Sequence, residues 1–289
     1  MTISLPSRSC SLAMLALLAS LGLSSSAVAQ TSDPSACALE IIEDAEQEMT
    51  LLGKGQKGDV CAANALGYYY YTQQNYPPAL EWWGKAADLG HARAALELAM
   101  IHRDGLIPDP DLAEMNHRLQ QGAELGQVHA QLELGLNYSE GSGIEKDLGQ
   151  AMYWFEQAAK QGNPAAQYLL GWYYWTDERG MDDMQGPYAS NDDKAAYWTC
   201  LSAQQDDPEA QYELSKAYSI GRGNLTADQD QRAAWRQKAA DNGSEEALDE
   251  IAQLSSHTWY TKLERWGQSL FKPATEASCS DDPRVLQGE

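Results

Sequence analysis

Alanine stands four residues before a large aliphatic residue at six places in this chain: Ala62/Leu66, Ala94/Leu98, Ala130/Leu134, Ala166/Leu170, Ala210/Leu214 and Ala247/Ile251. Residues four apart share one face of a helix, so each pair predicts an amphipathic helix. In four of the six the stripe continues to a tyrosine: Tyr70, Tyr138, Tyr174 and Tyr218. A second helical stretch follows each of the first five, marked by Trp and then Ala five residues on, at Trp82/Ala87, Trp154/Ala159, Trp198/Ala203 and Trp235/Ala240. Unit two carries Arg118/Ala123 in that frame, without the aromatic. Gly lies three residues past this Ala at Gly90, Gly126, Gly162 and Gly243, where a helix end needs a left-handed residue. Unit four has Asp206 there instead. Asn163-Pro164, Asp207-Pro208 and Ser244 then supply helix starts.

The spacings turn this list of helices into an architecture. From the last Ala of each second helix to the next Leu or Ile is 11 residues in all five cases (87→98, 123→134, 159→170, 203→214 and 240→251). From the Leu to that Ala within a unit the spacing varies: 21, 25, 25, 33 and 26. The turn between units is therefore fixed, and length variation falls in the loop inside each unit, where it can project without disturbing a stack. A helical hairpin of this size cannot bury its apolar face alone, so the units are expected to stack as an all-α solenoid. The residue after each helix-one Leu is small (Gly67, Ala99, Gly135, Gly171, Ser215). Gly costs up to about 1 kcal/mol in a helix relative to Ala, so its recurrence predicts close approach of a neighbouring helix, with Tyr and Trp filling wider gaps.

The pattern A-x3-L-G-x2-Y, a Gly-containing loop such as Gly141-Ser142-Gly143-Ile144-Glu145-Lys146-Asp147, then A-x2-W-x4-A-x2-G, resembles the Sel1-like repeat family, a relative of tetratricopeptide repeats. Gln127 to Gly162 follows it almost throughout. The resemblance covers 59–254, as five full repeats plus the first helix of a sixth. It implies a right-handed α/α superhelix that works as an adaptor or scaffold in protein complexes. Unit one departs by shortening its inner loop to Thr72-Gln73-Gln74-Asn75-Tyr76, and unit four by inserting residues around Asp177 to Asp193.

The ends read as caps. Residues 30–58 form an N-terminal capping helix and linker: Ser35 to Leu52 is an amphipathic helix, and Gly53-Lys54-Gly55-Gln56-Lys57-Gly58 a flexible joint. That joint spells G-x-G-x-x-G, but no strand precedes it, so it predicts no dinucleotide site. Residues 255–289 supply a capping helix with Trp259, Leu263, Trp266 and Leu270, then a tail. Residues 1–29 have the plan of a secretory signal peptide: Arg8, an apolar stretch from Leu12 to Leu23, and Ala27-Val28-Ala29 before Gln30. The stretch is too short to span a bilayer comfortably, so an exported, periplasmic or secreted chain without membrane insertion is expected.

Charge narrows the partners. The remaining 260 residues carry 19 basic and 42 acidic side chains, a net −23. That field repels nucleic acid and anionic lipid and favours a basic protein partner. In an oxidising compartment Cys37, Cys61, Cys200 and Cys279 could form two disulfides in three ways; Cys37–Cys61 with Cys200–Cys279 is favoured, because each would tie a terminal segment to the nearest part of the array.

Enzymatic chemistry finds little footing. Ser269-Leu270-Phe271-Lys272 spells S-x-x-K, but the companion motifs of penicillin-recognising enzymes are missing. His91, His102, His117, His129 and His257 show no metal-ligand spacing, and His91 and His102 read as structural. No cofactor or metal is expected. The unit-four insertion gathers six acids in 17 residues without the EF-hand ligand order, and reads as a partner-contacting or solvated loop. The remaining signal is the helix-one face opposite the Ala/Leu/Tyr stripe, which changes from unit to unit. Tyr68, Tyr71, Arg103, Tyr168, Trp172, Trp175 and Tyr212 lie there. In a related superhelix part of this face lines the concave groove, and aromatics and Arg are the residue types that carry binding energy. The same positions serve equally well in packing against the neighbouring helix. The expected function is a non-enzymatic scaffold, with an inhibitor, immunity protein or envelope regulator as specific versions. An enzyme of cell-wall or β-lactam chemistry is the rival reading.

Overall fold

The computed structural model of the chain describes residues 37, 41–175, 191–256 and 279. Among them are twelve helices and no strand. α1 (Ala45–Gln56) precedes five hairpins: α2 (Val60–Thr72) with α3 (Tyr76–Asp88), α4 (Ala92–Arg103) with α5 (Leu112–Glu124), α6 (Val128–Glu140) with α7 (Leu148–Lys160), α8 (Pro164–Tyr174) with α9 (Asp192–Gln204), and α10 (Pro208–Ile220) with α11 (Gln229–Asp241). α12 (Glu245–Ser256) is the first helix of a sixth unit. Each helix packs on the next in sequence. The core is therefore drawn out along the stack as a chain of clusters that overlap the unit boundaries.

The fixed turn follows from one pair of caps used at every joint. Gly90, Gly126, Gly162 and Gly243 take φ between 85° and 101°, and Asp206 enters the left-handed region at φ 65°. The next residue caps the following helix with a side-chain acceptor. Ala94 N–H donates to His91 Nδ1 at 3.1 Å, and the equivalent bond goes to Gln127 Oε1, Asn163 Oδ1, Asp207 Oδ1 and Ser244 Oγ. His91 and Gln127 are caps that the Asn/Asp/Ser pattern does not announce.

Helices one and two touch at the small residue. A Cβ on Gly135 would lie 2.6 Å from the Phe155 ring and 3.2 Å from the Ala151 carbonyl oxygen. One on Gly171 would meet Thr199, and one on Gly67 would meet the Trp83 indole. The partner is the residue after the Trp landmark, and the landmark itself turns toward the preceding unit. Trp82 lies over Gly55 of α1, and Trp154 joins the cluster of Leu119 and Ala123.

Three features differ from the sequence reading. α1 begins at Ala45, not Ser35, with Asp44 Oδ1 accepting from Gln47 N–H. Most of the G-x-G-x-x-G joint is the last turn of α1, where buried Gly55 leaves room for the Trp82 ring; Gly58 alone turns left-handed, at φ 87°. The inner loops of units three and five do not simply project. Gly143 sits against Leu112 and Asn116 at the start of α5, and Gly223 against Asp192 at the start of α9. The signal peptide, the terminal capping helix, the S-x-x-K match and most of the unit-four insertion lie outside the described residues.

The sulfurs of Cys37 and Cys61 are bonded, with Cα atoms 5.3 Å apart, as are those of Cys200 and Cys279, at 5.9 Å. These two bonds join the chain before α1 to α2, and residue 279 to α9.

Candidate functional site

The variable helix-one face is built as the pattern requires, but its residues are spent in different ways. Tyr68 is half-buried, its ring edge-on to Trp83 at 5.1 Å. Its hydroxyl donates to Glu97 Oε1 at 2.6 Å and accepts from Arg93 Nε at 2.7 Å. Burial, and then the Glu97 carboxylate, hold that phenol well above the ordinary tyrosine range. Arg103 donates to Glu133 Oε1 at 2.9 Å and to Asp104. Tyr212 is half-buried against Ala239, Ala240 and Ala247, and its phenol is raised first by burial and then by Glu250.

These contacts share a rule. Glu97, Glu133 and Glu250 each stand one residue before the helix-one Leu or Ile of their unit, and each reaches a variable-face residue of the unit before. Glu213 holds the same position in unit five and pairs with Lys216. A recurring Glu at that step was readable in the sequence and is absent from the repeat pattern set out above. Unit four has Leu169 there, which packs on the largest core cluster beside Tyr168 and Tyr173.

Of the remaining residues on this face, Tyr71 is 37% exposed and borders Tyr76 and Trp83, with ring centroids 5.9 and 5.4 Å away. Tyr168 is half-buried against the core, and half-buried Trp172 meets the Tyr173 ring at 4.8 Å. Trp175 departs from the surface role expected of it. It is 8% exposed and belongs to the core, and the Arg222 guanidinium lies over its ring, 6.0 Å from the centroid.

Arg222 is a further residue that the pattern does not reveal. Its guanidinium donates to the Trp175 carbonyl at 2.8 Å and to Asp192 Oδ1 at 3.0 Å. Asn191 N–H donates to the Tyr174 carbonyl at 3.1 Å. The two feet of the unit-four insertion are thus fastened to each other and to unit five. Asn191 also caps α9 by accepting from Lys194 N–H. The rest of the insertion, Asp177 to Ser190, lies outside the described residues. Among the described residues no group of three metal-ligating side chains occurs, and no helix is long and apolar enough to cross a membrane.

The profile of the Sel1 repeat matches residues 62–91, 92–117, 128–163, 164–207 and 208–244. The second match stops just short of Arg118, where the landmark aromatic is missing. In shape the chain is similar to a protective antigen of uropathogenic Escherichia coli displaying an SLR fold, with a TM-score of 0.64 and 26% identity. That likeness covers 75% of this chain but only 45% of the antigen, so the chain spans less than half of that relative's length. A Sel1 repeat protein from Oxalobacter formigenes matches with a TM-score of 0.59 and 23% identity over 71% of this chain and 88% of its own. An immunity protein from Pseudomonas aeruginosa is a looser match, with a TM-score of 0.38 and 19% identity over 73% and 79%, too distant in shape to speak to role.

Proposed function

The chain belongs to the Sel1 repeat family, and from that premise we propose that it is an exported, non-enzymatic scaffold that grips a protein partner on the variable face of its first helices. The observation that carries this reading is the contrast within each unit. The Ala, Leu and small-residue positions repeat because they hold the stack, while the opposite face changes identity five times on an unchanging frame. Such a surface has the means to specify a partner while the frame beneath it stays the same. Tyr71, Tyr168 and Trp172 supply its aromatic area. The overall charge of −22 favours a partner with a basic surface, through the rate of encounter more than the final affinity.

The test is capture of envelope proteins on the full-length chain, with a Tyr71→Ala, Trp172→Ala variant run in parallel. A partner retained by the parent and lost by a variant with unchanged helical content supports the reading. Equal capture by both would remove these residues from the site, and hydrolysis of a cell-wall or β-lactam substrate by the purified chain would replace the scaffold with an enzyme.

A further inference from the structure

The seam inside each hairpin is apolar or small until unit five. Two positions of the second helix make it: the residue after the Trp landmark and the residue three before the landmark. In units one to four they are Ala79/Trp83, Met115/Leu119, Ala151/Phe155 and Ala195/Thr199, all buried. Gly135 stands against Phe155 and the Ala151 carbonyl, and Gly171 against Thr199 and the Ala195 carbonyl. In α11 the same two positions hold Arg232 and Arg236, and the small residue of α10 is Ser215.

Both guanidinium groups converge on one carboxylate of α12. Arg232 Nη2 donates to Glu250 Oε1 at 2.8 Å, and Arg236 Nη1 donates to the same oxygen at 2.9 Å. Arg232 Nη1 also reaches Gln229 Oε1, at 3.4 Å. The Arg236 side chain is 11% exposed, and its buried Nε–H has no acceptor among the described residues. Other carboxylates on the facing helices are engaged: Glu213 pairs with Lys216, and Glu246 accepts from the Ser244 hydroxyl. Two cations thus share one anion, with donors left over, where the other units bury hydrocarbon.

Folding alone gives no reason for this exchange. Taking charges out of water costs several kcal/mol per ion, and apolar residues of similar volume often serve as well or better. An unmet buried N–H adds to the cost. Glu250 also acts on the Tyr212 phenol, so the cluster borders the variable face of unit five. We propose that Arg232 and Arg236 form an anion site at the C-terminal end of the gripping face described above, and that they take a carboxylate of the partner. The planar guanidinium fork matches the two oxygens of a carboxylate, whereas Lys offers a point charge. The overall charge of −22 draws a basic surface in, and this site selects one acidic group on it.

The arginine Nε–H signals of the full chain, followed by NMR, report the site without any protein partner, so the result is independent of whether the face captures an envelope protein. N-acetylglutamate α-amide supplies a side-chain carboxylate, N-acetylglycine a terminal one, and N-acetylglycinamide none. At constant ionic strength the carboxylates should shift the Arg232 and Arg236 signals saturably, the tighter of the two naming the source, and the amide should not. Arg232→Lys keeps the charge without the fork and should weaken that response about fivefold or more. Arg232→Met, Arg236→Leu, Glu250→Leu installs the seam pair of Met115 and Leu119 with the Leu169 equivalent. It should abolish the response and keep a thermal midpoint at or above that of the parent. No response in the parent, an equal response to the amide, or an undiminished response in Arg232→Lys overturns the site. So does a triple variant with a midpoint well below the parent's, because the arginines would then serve the fold.

Discussion

The first two units of the array and the last three solve the same packing problem with different chemistry. In units three, four and five the residue after the helix-one Ala is a buried glutamine: Gln131, Gln167 or Gln211. Its amide donates to the carbonyl of Ala123, Ala159 or Ala203 across the joint. Its oxygen accepts from the residue that ends the unit's second helix, Gln161, Gln205 or Asn242. Units one and two have Ala63 and Ala95 at the first position, and Leu89 and Leu125 at the second. Both leucines are exposed, at 44% and 47%. The two positions change together, amide facing amide or leucine beside alanine. At the first joint Gln121 reaches the Ala87 carbonyl from another turn of α5. The demand that a buried carbonyl be satisfied is constant, and the residue that meets it is not.

The largest effect is expected from breaking one amide pair. Gln167→Ala removes one donor from the Ala159 carbonyl, which keeps the Gly162 N–H, leaves the Gln205 amide only a long bond to the Leu201 carbonyl, and empties the space of a buried side chain, which together cost about 2–3 kcal/mol in chemical denaturation. Adding Gln205→Leu reproduces the Ala/Leu combination of units one and two and should restore a good part of that loss. If the double variant is as unstable as the sum of the singles, the two kinds of joint are not interchangeable.

The fold was legible in the sequence because stacking imposes a period on the residues that pay for contact. The Ala/Leu pairs, the Gly caps and the small residue against helix two each meet the same geometry at every step, so each recurs. The polar fittings were harder to see. His91 and Gln127 cap helices without belonging to the usual capping set, and the function of a Gln or Glu beside a landmark depends on a partner about 30 residues away. Trp175 shows the limit for the candidate site. Its spacing puts it on the variable face, but it lies in the core, with Arg222, 47 residues later and in a loop, over its ring. Helical periodicity carries no information about what a loop from the next unit will cover.

That loop offers a second comparison, of smaller effect. The G-x-G loops of units three and five both fasten to the preceding unit. One uses the buried Asn116, whose amide donates to the Ser142 carbonyl; the other uses the half-exposed Arg222. Arg222→Ala should cost about 1 kcal/mol, because water can replace part of what is lost, and Asn116→Ala about 2 kcal/mol, because the Asn137 amide then loses its buried acceptor. Equal costs would mean that burial does not distinguish the two staples.

The smallest expected effect is a gain. Four of the five joints place Gly at the left-handed position, and the fourth joint places Asp206 there at φ 65°. A side chain at that φ is strained, although Asp tolerates it better than most. The Asp206 carboxylate accepts an ion pair from Lys238 at 2.8 Å, which holds its pKa below the ordinary range. The pair is exposed, and exposed pairs contribute little. Asp206→Gly should therefore raise the thermal midpoint by about 2 °C at neutral pH. A carboxylate with a lowered pKa contributes its stability above the unfolded value and loses it as the pH falls, so the advantage of the variant should widen below about pH 4. Asp206→Ala keeps the strained Cβ and loses the pair, and should lower the midpoint. If glycine lowers it as far as alanine does, the ion pair and not the backbone sets the energy of that turn.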